Sequence, residues 1–163
     1  MNPASAGSGE PSLETQVAHL VARSEIGKAL NDYVLGIDGR DKGRWLAAFH
    51  EDAIYEVDFP KAVAKGHEEI LSWVREPWEF QTITHITGNH HVDLIDGDKA
   101  TGRGRGVGIF KIEDGSVILA TATLDDRYSK RGGIWRISYR KVTIISSFLL
   151  KDATALILNG VAQ

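Results

Sequence analysis

Four widely spaced polar residues, Tyr33, Asp38, His85 and Arg140, have side chains that can move protons on an organic substrate. Histidine exchanges protons near neutral pH because its usual pKa is about 6.5. Asp38 would accept a hydrogen bond from one ring nitrogen of His85, fixing its tautomer and stabilising its protonated form. Tyr33 would donate its phenolic proton to a leaving or enolising oxygen. Arg140 would pair with an anionic or polar substrate group.

The same residues also have ordinary structural roles. His85 could be a surface histidine or a buried structural one, and Asp38 could cap a helix end before Gly39. Tyr33 occupies an apolar helical position, which suits core packing. A spacing of five on an ideal helix separates the Tyr33 and Asp38 side chains by about 140°. These two side chains therefore converge only if the helix ends or distorts near Gly36.

Strand alternation defines the faces of two later segments. Ser138, Arg140 and Val142 share one face, so Arg140 lies in a pocket if that face points inward and is an exposed charge otherwise. In the segment 101–109, four glycines alternate with larger residues and share one face. We expect close packing and bending of the sheet on that face. Arg103 and Arg105 would then point outward, in a position suited to a subunit contact.

The pair His90-His91 raises the question of a metal site. Adjacent strand residues point to opposite faces, so the two rings cannot easily share a metal. His91 has the parity of His85 and is expected on the same face. His50 and His67 lack partners at ligand spacing, and the absence of cysteine excludes thiolate sites. We expect no metal and no cofactor.

Periodicity divides the chain into helices followed by strands. The predicted elements are a helical region from Leu13 to about Gly39 with a break or fresh cap at Ser24, a short helix containing Trp45, Leu46 and Phe49 that closes at 50–52, a strand at 53–59, a helix at 66–78, and strands at about 84–95, 99–112, 116–129 and 134–147. Turn signals such as Asp96-Gly97 separate the last four strands. The order predicts an α+β fold in which a curved antiparallel sheet packs on N-terminal helices and forms a cone around a deep pocket.

Composition limits the possible partners and compartments. Apolar residues make up 42% of the chain and charged residues 25%, and the formal net charge is −3. This balance gives no reason to expect a nucleic-acid or membrane partner. We expect a cytoplasmic protein with a disordered tail at 1–12, one domain at 13–150, and a C-terminal tail at 151–163 that covers the pocket or an interface.

Aromatic residues are concentrated in the first half of the sequence, where core packing is their default role. Trp73, Trp78 and Phe80 precede His85 and would suit an entrance lid. An aromatic wall of this kind suggests an apolar ligand that is aromatic or polycyclic.

The element order and three segments carry a family resemblance. The segments are Tyr33–Asp38, Thr82–Asn89 and Ile134–Arg140. With them, the chain resembles the SnoaL-like branch of the nuclear transport factor 2-like (NTF2-like) superfamily over roughly residues 14–150. Within that branch it is most similar to three lyases: hexachlorocyclohexane dehydrochlorinase, bile-acid 7α-dehydratase and scytalone dehydratase.

The resemblance implies a function and a set of roles. Asp38 and His85 match the aspartate and histidine of a proton-transfer dyad, Tyr33 matches a tyrosine of the bile-acid enzyme, and Arg140 matches a pocket arginine of the dehydrochlorinase. It implies a cofactor-independent lyase that eliminates water, halide or a small carbonyl fragment, in a homo-oligomeric trimer or dimer. The alternatives are an isomerase or cyclase of the same fold, or a non-catalytic module resembling a dioxygenase small subunit.

Overall fold

The structure is a computed structural model and describes residues 10–73 and 80–151. These residues form three helices and one six-stranded sheet. The elements are α1 (Leu13–Asp38), α2 (Lys42–Ala47), β1 (Phe49–Asp58), β2 (Lys61–Lys65), α3 (Gly66–Trp73), β3 (Thr82–Asp96), β4 (Lys99–Lys111), β5 (Val117–Arg131) and β6 (Ile134–Leu150). The strand order is β2-β1-β6-β5-β4-β3. Neighbouring strands are antiparallel except β1 and β6, which are parallel.

The helices pack on one face of this curved, unclosed sheet, which confirms the predicted α+β fold. The C-terminal half of α1 supplies Ile26, Tyr33 and Ile37 to the main core. There they meet Trp45 of α2 and Phe49 of β1. No helix in the two described ranges is long and apolar enough to cross a membrane.

The helical region follows its predicted outline with two corrections. The predicted break at Ser24 is wrong, because α1 runs without interruption to Asp38. Gly36 does not end the helix either. It serves close packing instead, because a Cβ there would overlap the backbone of Trp45.

The first strands differ more from their predictions. Residues 50–52 do not close a helix but belong to β1, which begins at Phe49. Strand β2 was not predicted, although it pairs with β1 in regular antiparallel register. Helix α3 begins at Gly66 as expected, and the predicted continuation over 74–78 lies outside the described residues.

The four-stranded meander β3–β6 is confirmed, and its turns fall at the predicted positions. The glycine face of β4 points inward, where Gly102 and Gly104 approach His90 and Gly108 approaches Phe110. Arg103 and Arg105 lie on the exposed outer face, as predicted. Of the predicted tails at 1–12 and 151–163, residues 1–9 and 152–163 lie outside the described residues.

At two positions that bear on the predicted site, a bulge changes which side chains face inward. In β3 the register shifts between Gly88 and His91, and Asn89 adopts a positive φ of 50°. The extra residue turns His90 inward and leaves His91 exposed. The prediction that His91 lies on the same face of the sheet as His85 is therefore wrong.

The second bulge lies in β6. Ile137 pairs with Tyr128 and Tyr139 pairs with Arg127, which leaves Ser138 without a partner in the register. Ile137 and Arg140 are therefore both fully buried, and the predicted grouping of Ser138 with Arg140 fails at the bulge.

Candidate active site

An apolar cavity of about 390 Å³ lies between the C-terminal end of α1 and the concave face of the sheet. None of the described residues that line it is an aspartate, glutamate, lysine or arginine. Its polar side chains are those of Tyr33, Tyr55, His85, Thr87 and Ser147. The cavity therefore offers hydrogen-bonding groups and a histidine base in mainly apolar surroundings.

His85 and Asp38 meet at the edge of this cavity. The Nδ1 atom of His85 lies 2.6 Å from Oδ1 of Asp38, and the backbone N–H of His85 donates to Oδ2 at 2.7 Å. Both carboxylate oxygens are thus committed to one residue. An ionised Asp38 requires a proton on Nδ1, which leaves Nε2 as the free basic nitrogen.

The folding of each segment explains this meeting. Asp38 is the last residue of α1, so its side chain projects from the helix end towards the start of β3. The ring of His85 is held edge-on by Phe110, with ring centres 5.3 Å apart. His85 lines the cavity, whereas Asp38 does not. Only the histidine of this pair therefore reaches a ligand in the cavity, and the aspartate fixes its orientation.

Tyr33 reaches the same cavity without converging on Asp38. The helix end or distortion that the spacing required near Gly36 is absent, since α1 continues to Asp38. Tyr33 faces the cavity directly. Asp38 does not line the cavity and is connected to it only through its contact with His85.

Tyr55 is a site residue that the sequence interpretation did not single out. Its hydroxyl oxygen lies 3.2 Å from that of Tyr33, and both rings line the cavity. Burial, together with the neighbouring Tyr33, raises the pKa of Tyr55 well above its usual value, so its phenol stays protonated. Only its position on β1 opposite Arg140 of β6 distinguishes it from the core aromatics, and that pairing is not visible in the sequence.

Arg140 points inward but does not line the cavity. Its side chain is fully buried, and its Nε and Nη2 atoms each donate to Asp126 at 2.7 Å. Its Cζ atom lies 4.1 Å from the ring centre of Tyr33. Burial opposes the charge on Arg140, but Asp126 outweighs this effect and raises the pKa of the guanidinium well above its usual value.

Asp126 is the centre of a polar cluster beside the cavity. Its Oδ2 also accepts a hydrogen bond from the Tyr128 hydroxyl at 2.6 Å, and that hydroxyl lies 3.2 Å from Nε2 of His90. Burial alone would raise the pKa of Asp126. The charge and hydrogen bonds of Arg140, aided by His90 and Tyr128, instead hold it well below its usual range. Asp126 therefore stays ionised.

Two further groups considered in the sequence are the aromatic residues that precede His85 and the histidines His50 and His67. Phe80 lines the cavity and stacks on Phe110 at 5.1 Å, whereas Trp78 and the side chain of Trp73 lie outside the described residues. The Nε2 atoms of His50 and His67 lie 2.9 and 3.2 Å from backbone carbonyl oxygens. In the described ranges, no three histidine, aspartate or glutamate side chains gather in a metal-binding group.

Comparison with solved structures first defines the class of fold. A hexachlorocyclohexane dehydrochlorinase of Novosphingobium barchaimii superposes with a TM-score of 0.79 at 23% identity, covering 88% of this chain and 99% of that one. An NTF2-like protein of Novosphingobium aromaticivorans gives a TM-score of 0.70 at 22% identity, covering 90% and 95%. The protein has the NTF2-like α+β fold.

Sequence comparison then identifies the family within that fold. The SnoaL-like domain model matches residues 18–141, and the chain belongs to this family. Hexachlorocyclohexane dehydrochlorinase 1 of Sphingobium indicum is 27% identical over 123 residues, which is 73% of this chain and 79% of the relative.

Proposed function

We propose that the protein is a cofactor-independent lyase acting on an uncharged, apolar substrate. The observation that carries this proposal is the contact of His85 with both oxygens of Asp38 at the edge of the apolar cavity. Similarity to enzymes named dehydrochlorinases favours elimination over other reactions of this fold.

The proposed reaction begins with proton transfer from a substrate C–H bond to Nε2 of His85. The electron pair of that bond forms a new double bond while the bond to a leaving group on the neighbouring atom breaks. A halide departs with the bonding electrons, whereas a hydroxyl group takes a proton from the Tyr33 phenol and departs as water. Asp38 stabilises the imidazolium that results. The Tyr55 phenol donates to the Tyr33 oxygen, which leaves the Tyr33 O–H to donate a hydrogen bond to an oxygen that gains negative charge.

The compound 5-nitro-1,2-benzisoxazole tests this chemistry without knowledge of the natural substrate. A base removes its ring C–H proton, the N–O bond breaks, and a nitrile and a coloured phenolate form. We expect the protein to catalyse this elimination. His85→Ala should lower kcat/KM at least ~100-fold because it removes the general base, and Asp38→Asn about 10- to 100-fold because it removes the carboxylate that orients and stabilises this base.

The outer face of β3 provides matched controls. His91 and Asp93 also form a histidine–aspartate contact, at 2.9 Å, but both side chains are exposed and neither lines the cavity. His91→Ala and Asp93→Asn should keep the wild-type rate. A folded His85→Ala variant with undiminished turnover, or no turnover by the wild type, would remove the proposal. With a natural substrate, a product of unchanged mass would indicate an isomerase instead.

A further inference from the structure

Tyr128 is buried beside the cavity but does not line it. Its side chain is 1% exposed, its hydroxyl contacts Asp126 and His90, and Arg140 also interacts with this hydroxyl. Room for it comes from β4, because a Cβ on Gly102 would lie 2.9 Å from Tyr128 and 2.7 Å from His90. A phenylalanine would fill the same space without needing a partner. The hydroxyl thus needs an explanation beyond packing.

The first link runs from Tyr128 to Arg140. Oδ2 of Asp126 accepts from the Tyr128 hydroxyl at 2.6 Å and from Nη2 of Arg140 at 2.7 Å. Burial, with the Asp126 charge, raises the pKa of Tyr128 well above its usual value, which keeps the hydroxyl a donor. The phenol therefore fixes the orientation of the carboxylate that holds the guanidinium.

The second link runs from Arg140 to the cavity. The Cζ atom of Arg140 lies 4.1 Å from the ring centre of Tyr33, in the range of a cation–π contact. Tyr33 exposes its ring to the cavity and pairs its hydroxyl with Tyr55. A shift of the guanidinium would thus change both the tilt of Tyr33 and the positive charge over its ring.

We propose that Tyr128 is a positioning residue for the reaction. It orients Tyr33 through the contacts of Asp126 and Arg140. This inference rests on the proposed function, in which the Tyr33 hydroxyl stabilises a developing oxyanion. It assigns Arg140 a different role from the one that the family resemblance implies, because the guanidinium contacts Tyr33 rather than the substrate.

A double-mutant cycle on 5-nitro-1,2-benzisoxazole tests this coupling. Tyr128→Phe should lower kcat about 10-fold with KM changed less than about 2-fold, because the hydrogen bond orients a charged group needed in the transition state. In a Tyr33→Phe background the same substitution should cost nothing further. A purely structural role would lower the rate by the same factor in both backgrounds.

Tyr139 provides the control for removing a hydroxyl. It donates to Glu56 at 2.8 Å and does not line the cavity, so Tyr139→Phe should keep the wild-type kcat. Equal losses from Tyr128→Phe in both backgrounds, or no loss in either, would overturn the inference. An unaffected rate in His85→Ala would overturn the proposed function as well, which separates the two failures.

His90 gives a second variant in case Tyr128→Phe does not fold. His90→Leu removes the imidazole whose Nε2 atom lies 3.2 Å from the Tyr128 hydroxyl. We expect a smaller loss of kcat, about 3-fold, that again requires the Tyr33 hydroxyl. Wild-type kcat in His90→Leu, or a loss independent of Tyr33, would contradict the positioning role.

Discussion

At the scale of single residues, the inner polar groups serve two different purposes. His85 faces the cavity, whereas Arg140 and Asp126 pair with each other in the protein interior, where Nη1 of Arg140 has no hydrogen-bond partner among the described residues. The carboxylates of Asp38 and Asp126 each contact a basic side chain, but only Asp38 is partly exposed, at 21%. The Asp126–Arg140 pair is therefore expected to affect stability strongly.

Replacing Asp126 should reveal this contribution. Asp126→Asn leaves the Arg140 charge buried without a counter-charge, and should lower the free energy of unfolding at pH 7 by roughly 3–5 kcal/mol. The matched variant is Asp125→Asn, whose partner Arg103 is 75% exposed. That substitution should cost less than about 1 kcal/mol. Urea unfolding followed by circular dichroism measures both.

The same pair predicts a pH dependence with a definite sign. The pKa of Asp126 is lowered in the folded state, so below about pH 4 the unfolded chain binds a proton that the native carboxylate does not. Wild-type stability from this group is complete above pH 5 and falls as the pH decreases. The gap to Asp126→Asn should shrink by about 1 kcal/mol between pH 5 and pH 3. A constant gap would contradict the ionised state of Asp126.

At the scale of elements, close packing of α1 on α2 sets the position of Tyr33 and Asp38. Gly36 lies between these residues in sequence and lets the backbone of Trp45 approach the helix. Gly27 lies earlier in the same helix, where a Cβ would meet no atom within 4 Å. A side chain at position 27 would therefore fit without a clash, whereas one at position 36 would overlap α2.

Alanine substitution should separate them. Gly27→Ala should raise the free energy of unfolding by about 0.5–1 kcal/mol through helix propensity alone. Gly36→Ala should lower it by about 1–3 kcal/mol, because the methyl group forces α2 away from α1. Thermal unfolding and turnover of the benzisoxazole measure the two effects. Equal effects of the two substitutions would refute the packing role of Gly36.

Sequence periodicity predicted most elements because their physical signals are local. Turn residues such as Asp96-Gly97 separate the strands of the meander, and alternation placed the β4 glycines on one face. The bulges at Asn89 and Ser138 gave no such signal, so the faces of His90 and His91 were assigned the wrong way round. A one-residue insertion reverses every later side chain, and alternation alone cannot detect it.

The candidate site was less predictable than the fold, because its geometry depends on contacts between distant segments. The meeting of Asp38 with His85 was expected only from the family resemblance, since 47 residues separate them. Tyr55 and Asp126 were not singled out at all. Both are placed by pairing with Arg140 of β6, Tyr55 from β1 on one side and Asp126 from β5 on the other.

At the scale of the whole molecule, charge is kept away from the cavity. The charged side chains of β4 and β5 lie mostly on the outer face, as Arg103 and Asp125 do. The inner pair Asp126–Arg140 is mutually neutralised and fully buried. A ligand in the cavity therefore meets the phenols, His85 and apolar walls, but no charged partner among the described lining residues.

This distribution predicts selectivity for uncharged ligands. At pH 7, 2-naphthol should raise the Tm of the protein and inhibit benzisoxazole turnover, whereas 2-naphthoate at equal concentration should do neither. A carboxylate buried without a partner loses its hydration at a cost of several kcal/mol, and binding to the folded state alone raises Tm.

Ile86 lines the cavity and is 58% exposed, so Ile86→Lys supplies an ammonium group at the entrance and should allow 2-naphthoate to bind. The control Ile95→Lys places the same charge on the same strand, at a position 65% exposed and outside the cavity lining, and should leave 2-naphthoate without effect. Stabilisation of the wild type by 2-naphthoate would show that a cationic group reaches the cavity after all.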